Sequence, residues 1–367
     1  MGLSNIPVGL TFDDVLLVPQ RSQIRSRQDV SVATKLSKRI ELALPIVAAN
    51  MDTVCETEMA IEMARLGGIG IIHRFMTTET QAAMVAAVKA AELPGTDLGG
   101  RPLVGAAIGT DRDAINRTHA LVDAGVDVLV LDIAHGHSDH AIQLLQKLKG
   151  ELPDTDIIAG NVATRRGAED LAAAGADAVK VGVGPGGVCT TRLVAGVGVP
   201  QLTAIDNCAA EPLVDPDGVA VPIIADGGIT GSGDIAKALA AGASSVMIGS
   251  LFAGTKESPG ELQQSAHGLV KRVRGMASFE ALTARAAREG EVVDREYFEQ
   301  RSPEGVEGTV PYRGEVAKVV ARLIAGLRSG MSYSDATSLE EFWANAEFIR
   351  VTSNGVRENL PHATLPV

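Results

Sequence analysis

Aromatic side chains are scarce in this chain, 3% of 367 residues with one tryptophan, so Ala, Val, Ile and Leu must fill the core. Cysteine is scarcer still. Cys55, Cys189 and Cys208 have no paired spacing, which excludes a disulfide framework and a cysteine-based zinc site. Positive charge is in deficit: 33 Lys and Arg against 45 Asp and Glu leave a net charge of −12. With no basic run either, a nucleic-acid scaffold is excluded, and an anionic ligand has to be held by local groups. No apolar run reaches the ~18 residues of a membrane span, and the N-terminus lacks the basic-then-apolar pattern of a secretory leader. These absences predict a cytoplasmic protein with neither a membrane nor a nucleic-acid partner.

What is abundant is glycine, 40 residues, and much of it falls in a recurring unit of helix pattern, glycine and short β-rich run. The unit is read at Ala64–Ile72, Asp123–Asp132, Ala173–Val181 and Ala241–Gly249. A glycine at a helix end lets the chain turn left-handed into the next strand. Adding Pro45–Ala49, Leu103–Ala107, Asp156–Ala159 and Pro222–Ala225 gives eight candidate strands, separated by helical patterns such as Glu56–Arg65, Arg112–Val122, Arg166–Ala173 and Asp234–Ala240. Continuously apolar strands imply burial on both faces, as in a parallel sheet. The pattern predicts one (β/α)8 TIM barrel over residues 1–367, with its chemistry on the loops after the strands. Residues 92–101 read as a loop before the third strand. Residues 255–314 read as a polar, irregular excursion after strand eight, the position of a lid or flap. A helix at Glu315–Leu327 then closes the core.

The densest glycine cluster, Val181-Gly-Val-Gly-Pro-Gly-Gly-Val-Cys-Thr-Thr-Arg192, follows the sixth candidate strand. Its glycines leave the backbone free to bend close to a ligand. Gly182, Gly184 and Gly187 also satisfy G-x-G-x-x-G, but a lone match is weak and the barrel periodicity argues against a Rossmann site. Cys189 is either a small buried hydrophobe or a nucleophile, and its loop position favours the nucleophile. Cys55 and Cys208 lie in or beside helical patterns and read as core.

Asp226-Gly-Gly-Ile229 and Gly249-Ser250 end strands seven and eight, where barrels commonly bind phosphate. Asp226 suits a ribose diol. An FMN-dependent barrel would use a similar arrangement. Asp132-Ile-Ala-His-Gly-His-Ser138 ends strand four; a metal site there lacks a supporting carboxylate cluster, and contacts to a cofactor, through Asp132 especially, fit better. Asn50-Met-Asp-Thr53 and Asn161 offer further polar groups, with Met51 placed to pack or to lie against a flat base. In the excursion, Arg295 and Tyr297 precede Pro303-Glu-Gly-Val-Glu-Gly308 and would activate a water if the segment is a flap.

Together these residues resemble the inosine-5′-monophosphate dehydrogenase and guanosine-5′-monophosphate reductase family, from Gly9-Leu-Thr-Phe-Asp-Asp14 to Glu347-Phe-Ile-Arg-Val-Thr352. The resemblance implies a homotetrameric (β/α)8 barrel whose cysteine attacks purine C2 while a nicotinamide cofactor carries the hydride. It makes Cys189 the nucleophile, with Thr191, Arg295 and Tyr297 as further catalytic residues. Met51, Asn161, Gly187, Asp226, Gly228, Gly249, Ser250, Met276 and Glu304 would meet the purine nucleotide. Asp132, Ala134 and His135 would face NAD or NADP. Carbonyls of Gly184, Gly186 and Cys189 would hold a monovalent cation, K+.

The two branches of the family are mixed here. The tandem regulatory (CBS) insert common in dehydrogenases, expected near residues 92–101, is missing, as in reductases. Ala48-Ala-Asn-Met-Asp52 resembles reductases, whereas Ala134-His-Gly-His-Ser138, Ala195–Gln201 and Pro303–Gly308 resemble dehydrogenases. Glu296 interrupts the dehydrogenase Arg-Tyr pair. Gly187 and Val273 replace a serine and a tyrosine that normally offer hydroxyls to the phosphate, which leaves room for a modified nucleotide. The sequence expectation is NAD-dependent oxidation of IMP, or a close analogue, at C2. NADPH-dependent reductive deamination of GMP is the alternative.

Overall fold

Eight short parallel strands close on themselves in sequence order: β1 (Ile46–Ala48), β2 (Ile69–Ile72), β3 (Val104–Ile108), β4 (Val128–Asp132), β5 (Asp156–Val162), β6 (Ala178–Val181), β7 (Ile223–Asp226) and β8 (Ser245–Ile248). The ring is sealed by β8 against β1, with Val246 opposite Ile46 and Ile248 opposite Ala48. This computed structural model describes residues 6–93, 101–266, 268–289 and 302–359.

All eight expected strands are present. Their Ile, Val, Leu and Ala side chains are buried on both faces, as continuous apolar runs require. Helices α1 (Thr57–Leu66), α2 (Thr78–Lys89), α3 (Ala114–Asp123), α4 (Asp139–Glu151) and α5 (Arg165–Ala173) follow the first five strands. After β6 come a single turn, α6 (Thr191–Val194), and α7 (Gln201–Ala209); α8 (Ser232–Ala240) follows β7 and another single turn, α9 (Ser250–Ala253), follows β8. The helix-glycine-strand unit has a backbone cause: Gly67, Gly125, Gly175 and Gly242 all take positive φ, from 87° to 103°, just past α1, α3, α5 and α8. Among the described residues no helix is long and apolar enough to cross a membrane.

The excursion after β8 is more ordered than its polar sequence suggests. It forms an antiparallel sheet of β9 (Gln263–Ser265), β10 (Gly268–Arg274) and β11 (Glu307–Pro311), with α10 (Phe279–Glu289) beside it. Arg274, 10% exposed, reaches across to Asp52, 1% exposed, and its Nε donates to both carboxylate oxygens at 3.2 and 3.1 Å. Lys271 Nζ donates to the carbonyls of Thr255, at 3.1 Å, and Ser258. These buried cations pin the sheet to the barrel rim, a role the alternating polar pattern of β10 hides. The closing helix, α11, spans Val316–Tyr333, longer than its apolar pattern indicates, and packs on α8.

Candidate active site

A cleft of about 550 Å³ opens at the C-terminal ends of the strands, the face on which barrels of this kind carry their chemistry. Cys189, Thr191, Asn161, Asp226, Met276, Glu304, Asp132, Ala134, Gly184 and Gly186, all singled out from sequence, line it.

The cysteine loop is held by its glycines. Gly182 has φ +151°, and a Cβ there would sit 2.1 Å from the Asp226 carbonyl oxygen, so a side chain would drive β6 from β7. Further on, the Cys189 N–H donates to the Gly186 carbonyl at 3.0 Å, curling the loop just ahead of α6. The excursion supports its outer side. Thr190 N–H donates to the Glu304 carbonyl at 3.1 Å, and Val306 N–H to the Val188 carbonyl at 3.0 Å.

That pairing brings a carboxylate to the thiol. Thr191 Oγ1 donates to Glu304 Oε2 at 2.7 Å and lies 3.2 Å from Cys189 Sγ. A hydroxyl has one hydrogen, and Glu304 receives it. The thiol is therefore the donor to Thr191, and a proton path runs from sulfur through the hydroxyl to the carboxylate. The other two cysteines are different: burial pushes the Cys208 thiol up to about 12, and Cys55, fully buried, higher still. Both are inert at neutral pH, as core residues should be.

At the base of the cleft sits Lys180, 2% exposed, which sequence reasoning missed. Its ammonium lies 2.8 Å from Asp132 Oδ1 and 2.6 Å from Asp226 Oδ2, and also donates to Asn161 Oδ1. Burial works against this charge, but the two carboxylates outweigh it and hold Lys180 well above the ordinary lysine value. Burial likewise opposes the Asp132 charge, and Lys180 overcomes it, keeping that carboxyl below the usual range. Asn50 Nδ2 donates to Asp132 Oδ2 at 2.8 Å, while Asn161 Nδ2 bridges Asp226 Oδ2 at 2.9 Å and the Gly182 carbonyl at 2.7 Å. Asp226 Oδ2 is thus occupied from within the protein. The available signal was one lysine inside a four-residue apolar strand, a position that demands buried counter-charges.

The remaining glycine-loop residues gather beside the cleft. A Cβ on Gly187 would lie 3.4 Å from Ser250 Oγ, and one on Gly249 would lie 2.9 Å from Met51 Sδ. Gly228 faces Phe12 and Pro185. Gly187, Ser250, Gly249 and Met51 therefore form one small-residue wall, and Met276 joins it through its sulfur, 3.4 Å from the Asp52 N–H. The space at Gly187 accommodates a Cβ, so its missing hydroxyl is not compelled by packing.

One sequence expectation is not gathered here. His135 is exposed and does not line the cleft, and its neighbour His137 is tied to Asp170 on α5 at 2.7 Å. Among the described residues no group of three or more His, Cys, Asp or Glu is placed to hold a metal ion. Arg295 and Tyr297 lie outside the described residues. Arg74, Phe75 and Arg285, which also line the cleft, carried no sequence signal beyond the position of Arg74 and Phe75 just past β2.

Fold and cleft together define a (β/α)8 barrel that carries a thiol, buried charges and a cleft on its C-terminal face. Comparison with known proteins makes the class specific: the IMP dehydrogenase / GMP reductase domain matches residues 9–362, and the chain belongs to that family. It is 45% identical over 401 positions to an inosine-5′-monophosphate dehydrogenase of Cryptosporidium parvum, covering 99% of this chain and 97% of that protein. It is 39% identical to a GMP reductase of Leishmania donovani, covering 98% of both. That alignment runs over 486 positions against 367 residues here, so the relative carries more than a hundred residues that this chain lacks. The crystal structure of a cysteine-to-alanine variant of GMP reductase from Trypanosoma brucei in complex with guanosine 5′-monophosphate superposes with a TM-score of 0.91 at 37% identity, covering 99% of each chain. The relatives are oxidoreductases of purine nucleotide metabolism, and both activities occur among them.

Proposed function

We propose that the protein oxidises IMP, or a close analogue, at C2 through a covalent adduct on Cys189, with NAD as the hydride acceptor. The observation that carries this reading is the Cys189–Thr191–Glu304 relay opening on the cleft. The Cys189 proton moves to Thr191 as the Thr191 proton moves to Glu304, and the thiolate adds to C2. The nicotinamide supplies the site to which hydride leaves C2. A thioimidate between Cys189 and the purine remains. Glu304 releases its first proton to solvent and, ionised again, takes one from water through Thr191; hydroxide adds at C2, the Cys189 thiolate departs and recovers that proton through Thr191, leaving XMP. Replacing Glu304 by glutamine is expected to lower kcat about 10²- to 10⁴-fold, with the KM for nucleotide moving far less. Steady-state kinetics check this, and an unchanged kcat removes Glu304 from the relay.

On this reading Gly187, Gly228, Gly249 and Ser250 hold the phosphate, with Met51 and Met276 against the base. Asp226 and Asn161 take the ribose, where the second oxygen of Asp226 is the acceptor left for a diol. Asp132 and Ala134 lie toward the nicotinamide. Neutral carbonyls of Gly184, Gly186 and Cys189, borne on one curled loop, suit a singly charged cation, and K+ there would brace the loop that carries the thiol. Residues 255–314 act as a lid, with Arg295 and Tyr297 assisting the water step. A cytoplasmic homotetramer is the expected form.

Reductive deamination of GMP with NADPH is the second reading. It is favoured by the reductase-like Ala48–Asp52 segment at the end of β1, with Ala49 where dehydrogenases usually carry a serine, and by the likeness to a GMP reductase bound to GMP. The same thiolate would add to C2, the amino group would leave as ammonia after protonation, and hydride would enter C2 before the thiolate departs. Incubation with IMP and NAD, and separately with GMP and NADPH, decides between them by nicotinamide absorbance. Reduced cofactor accumulating only in the first mixture is the expected result; consumption only in the second establishes the reductase.

A further inference from the structure

The carboxylate of the relay stands on no barrel strand. Glu304 is held through its backbone: its N–H donates to the Ala277 carbonyl at 3.0 Å, and its carbonyl accepts from the Thr190 N–H at 3.1 Å. The segments on either side of it run as one ladder. Val306 N–H donates to the Val188 carbonyl, Gly275 N–H donates to the Val306 carbonyl, and Cys189 stands opposite Gly305. The ladder is close-packed at its centre, where a Cβ on Gly275 would lie 2.8 Å from the Val188 carbonyl oxygen and 3.2 Å from Gly305 Cα. The approach of Glu304 to Thr191 therefore depends on where this ladder sits on the barrel.

One edge of the ladder is the cysteine loop itself, after β6. The other is fastened by Arg274, the last residue of β10 and the partner of Glu307 on β11. Its Nε and Nη2 grip the Asp52 carboxylate beyond β1, and its Nη1 donates to the Glu280 carbonyl on α10 at 3.2 Å. Side chains alternate along an extended chain. Arg274 and Met276 accordingly both meet Asp52, while Gly275 between them meets Val188 and Gly305. Neither Arg274 nor Asp52 lines the cleft, so their influence on the thiol runs through the ladder.

We infer that the Arg274–Asp52 clamp sets Glu304 within hydrogen-bonding distance of Thr191, which makes Arg274 a positioning residue for the thiol. This rests on reading Cys189, Thr191 and Glu304 as a proton relay. A guanidinium fork bonded at once to the end of β1, to α10 and to β11 fixes direction as well as distance. Without it the ladder can shift, and a displacement of about 1 Å is enough to break the Thr191–Glu304 bond of 2.7 Å.

Alkylation of Cys189 by iodoacetamide tests the inference on the full chain, without substrate or cofactor, read by mass spectrometry after digestion. The buried Cys55 and Cys208 report in the same digest whether a variant stays folded. Glu304→Gln should slow alkylation of Cys189 about tenfold or more, because the thiol loses the group that takes its proton. Arg274→Gln should slow it about fivefold or more while Cys55 and Cys208 stay protected. The double variant should be no slower than Glu304→Gln alone, since Arg274 acts only through that carboxylate. Asp52→Asn loosens the clamp from the barrel side and should behave as Arg274→Gln does. It carries the test if Arg274→Gln exposes the buried cysteines. Effects that multiply in the double variant, or an Arg274→Gln protein alkylated at the wild-type rate, overturn the inference and leave the relay standing. A Glu304→Gln protein alkylated as fast as wild type rejects the relay, and the positioning role with it.

Discussion

Replacing Cys189 by alanine is expected to lower kcat by at least about 10⁴-fold while leaving the affinity for the purine nucleotide within a few-fold of wild type. The size of the loss follows from the role: every step after binding passes through the sulfur, and neither Thr191 nor Glu304 can form the bond to C2. Binding survives because Gly249, Ser250, Asn161 and Asp226 are set by other strands, and a side-chain truncation at Cys189 leaves the backbone bond that curls the loop at Gly186 in place. Single-turnover kinetics measure the first effect and calorimetric titration of the nucleotide the second. Residual turnover within tenfold of wild type would show that the thiol is not the nucleophile. A matched loss of binding would show that the substitution had deformed the loop.

The second large effect is expected at Lys180. Its ammonium is the counter-charge for two carboxylates at the base of the cleft, and Lys180→Met leaves Asp132 and Asp226 facing each other without it. Breaking a buried ion pair on one side costs roughly 3–5 kcal/mol, and chemical denaturation should register that loss. The sign of its pH dependence is fixed by the directions of the shifts. The Lys180 pKa is raised, so its contribution is complete below the ordinary lysine value, near 10.4, and is lost only as pH rises beyond that into the folded value. The Asp132 pKa is lowered, so its contribution is present above the ordinary aspartate value, near 3.9, and is lost as pH falls through the folded value. The stability gap between wild type and variant should therefore be widest between about pH 5 and 10 and should narrow in acid. A gap that stays constant down to the acid limit would mean that Lys180 stabilises by packing alone.

These two residues also mark what the sequence makes legible and what it does not. Cys189 stands out because glycines crowd it on a loop, and the eight strands stand out because each is a short apolar run entered from a helix-ending glycine. Local pattern sets both. Lys180 is hidden because its partners come from β4, β5 and β7, and only barrel closure brings Asp132, Asn161 and Asp226 around one ammonium. The same is true of Arg74 and Arg285, more than two hundred positions apart yet over one phenylalanine ring. His135 is the converse case: it sits in a motif next to Asp132, but the chain turns so that its side chain faces solvent. The excursion reads as irregular because its order depends on cross-strand pairs, Arg274 opposite Glu307 among them, and on the buried contact of Arg274 with Asp52.

The central claim is that Cys189 forms a covalent bond with the purine during turnover, and one measurement reaches it directly. The protein is mixed with IMP and NAD, and in parallel with GMP and NADPH, quenched in acid while turnover proceeds, digested and analysed by mass spectrometry. The account predicts a purine nucleotide adduct on the peptide that carries Cys189, present only when nucleotide and cofactor are both supplied in the productive pair. Turnover in either mixture with the Cys189 peptide unmodified at every quench time would contradict it.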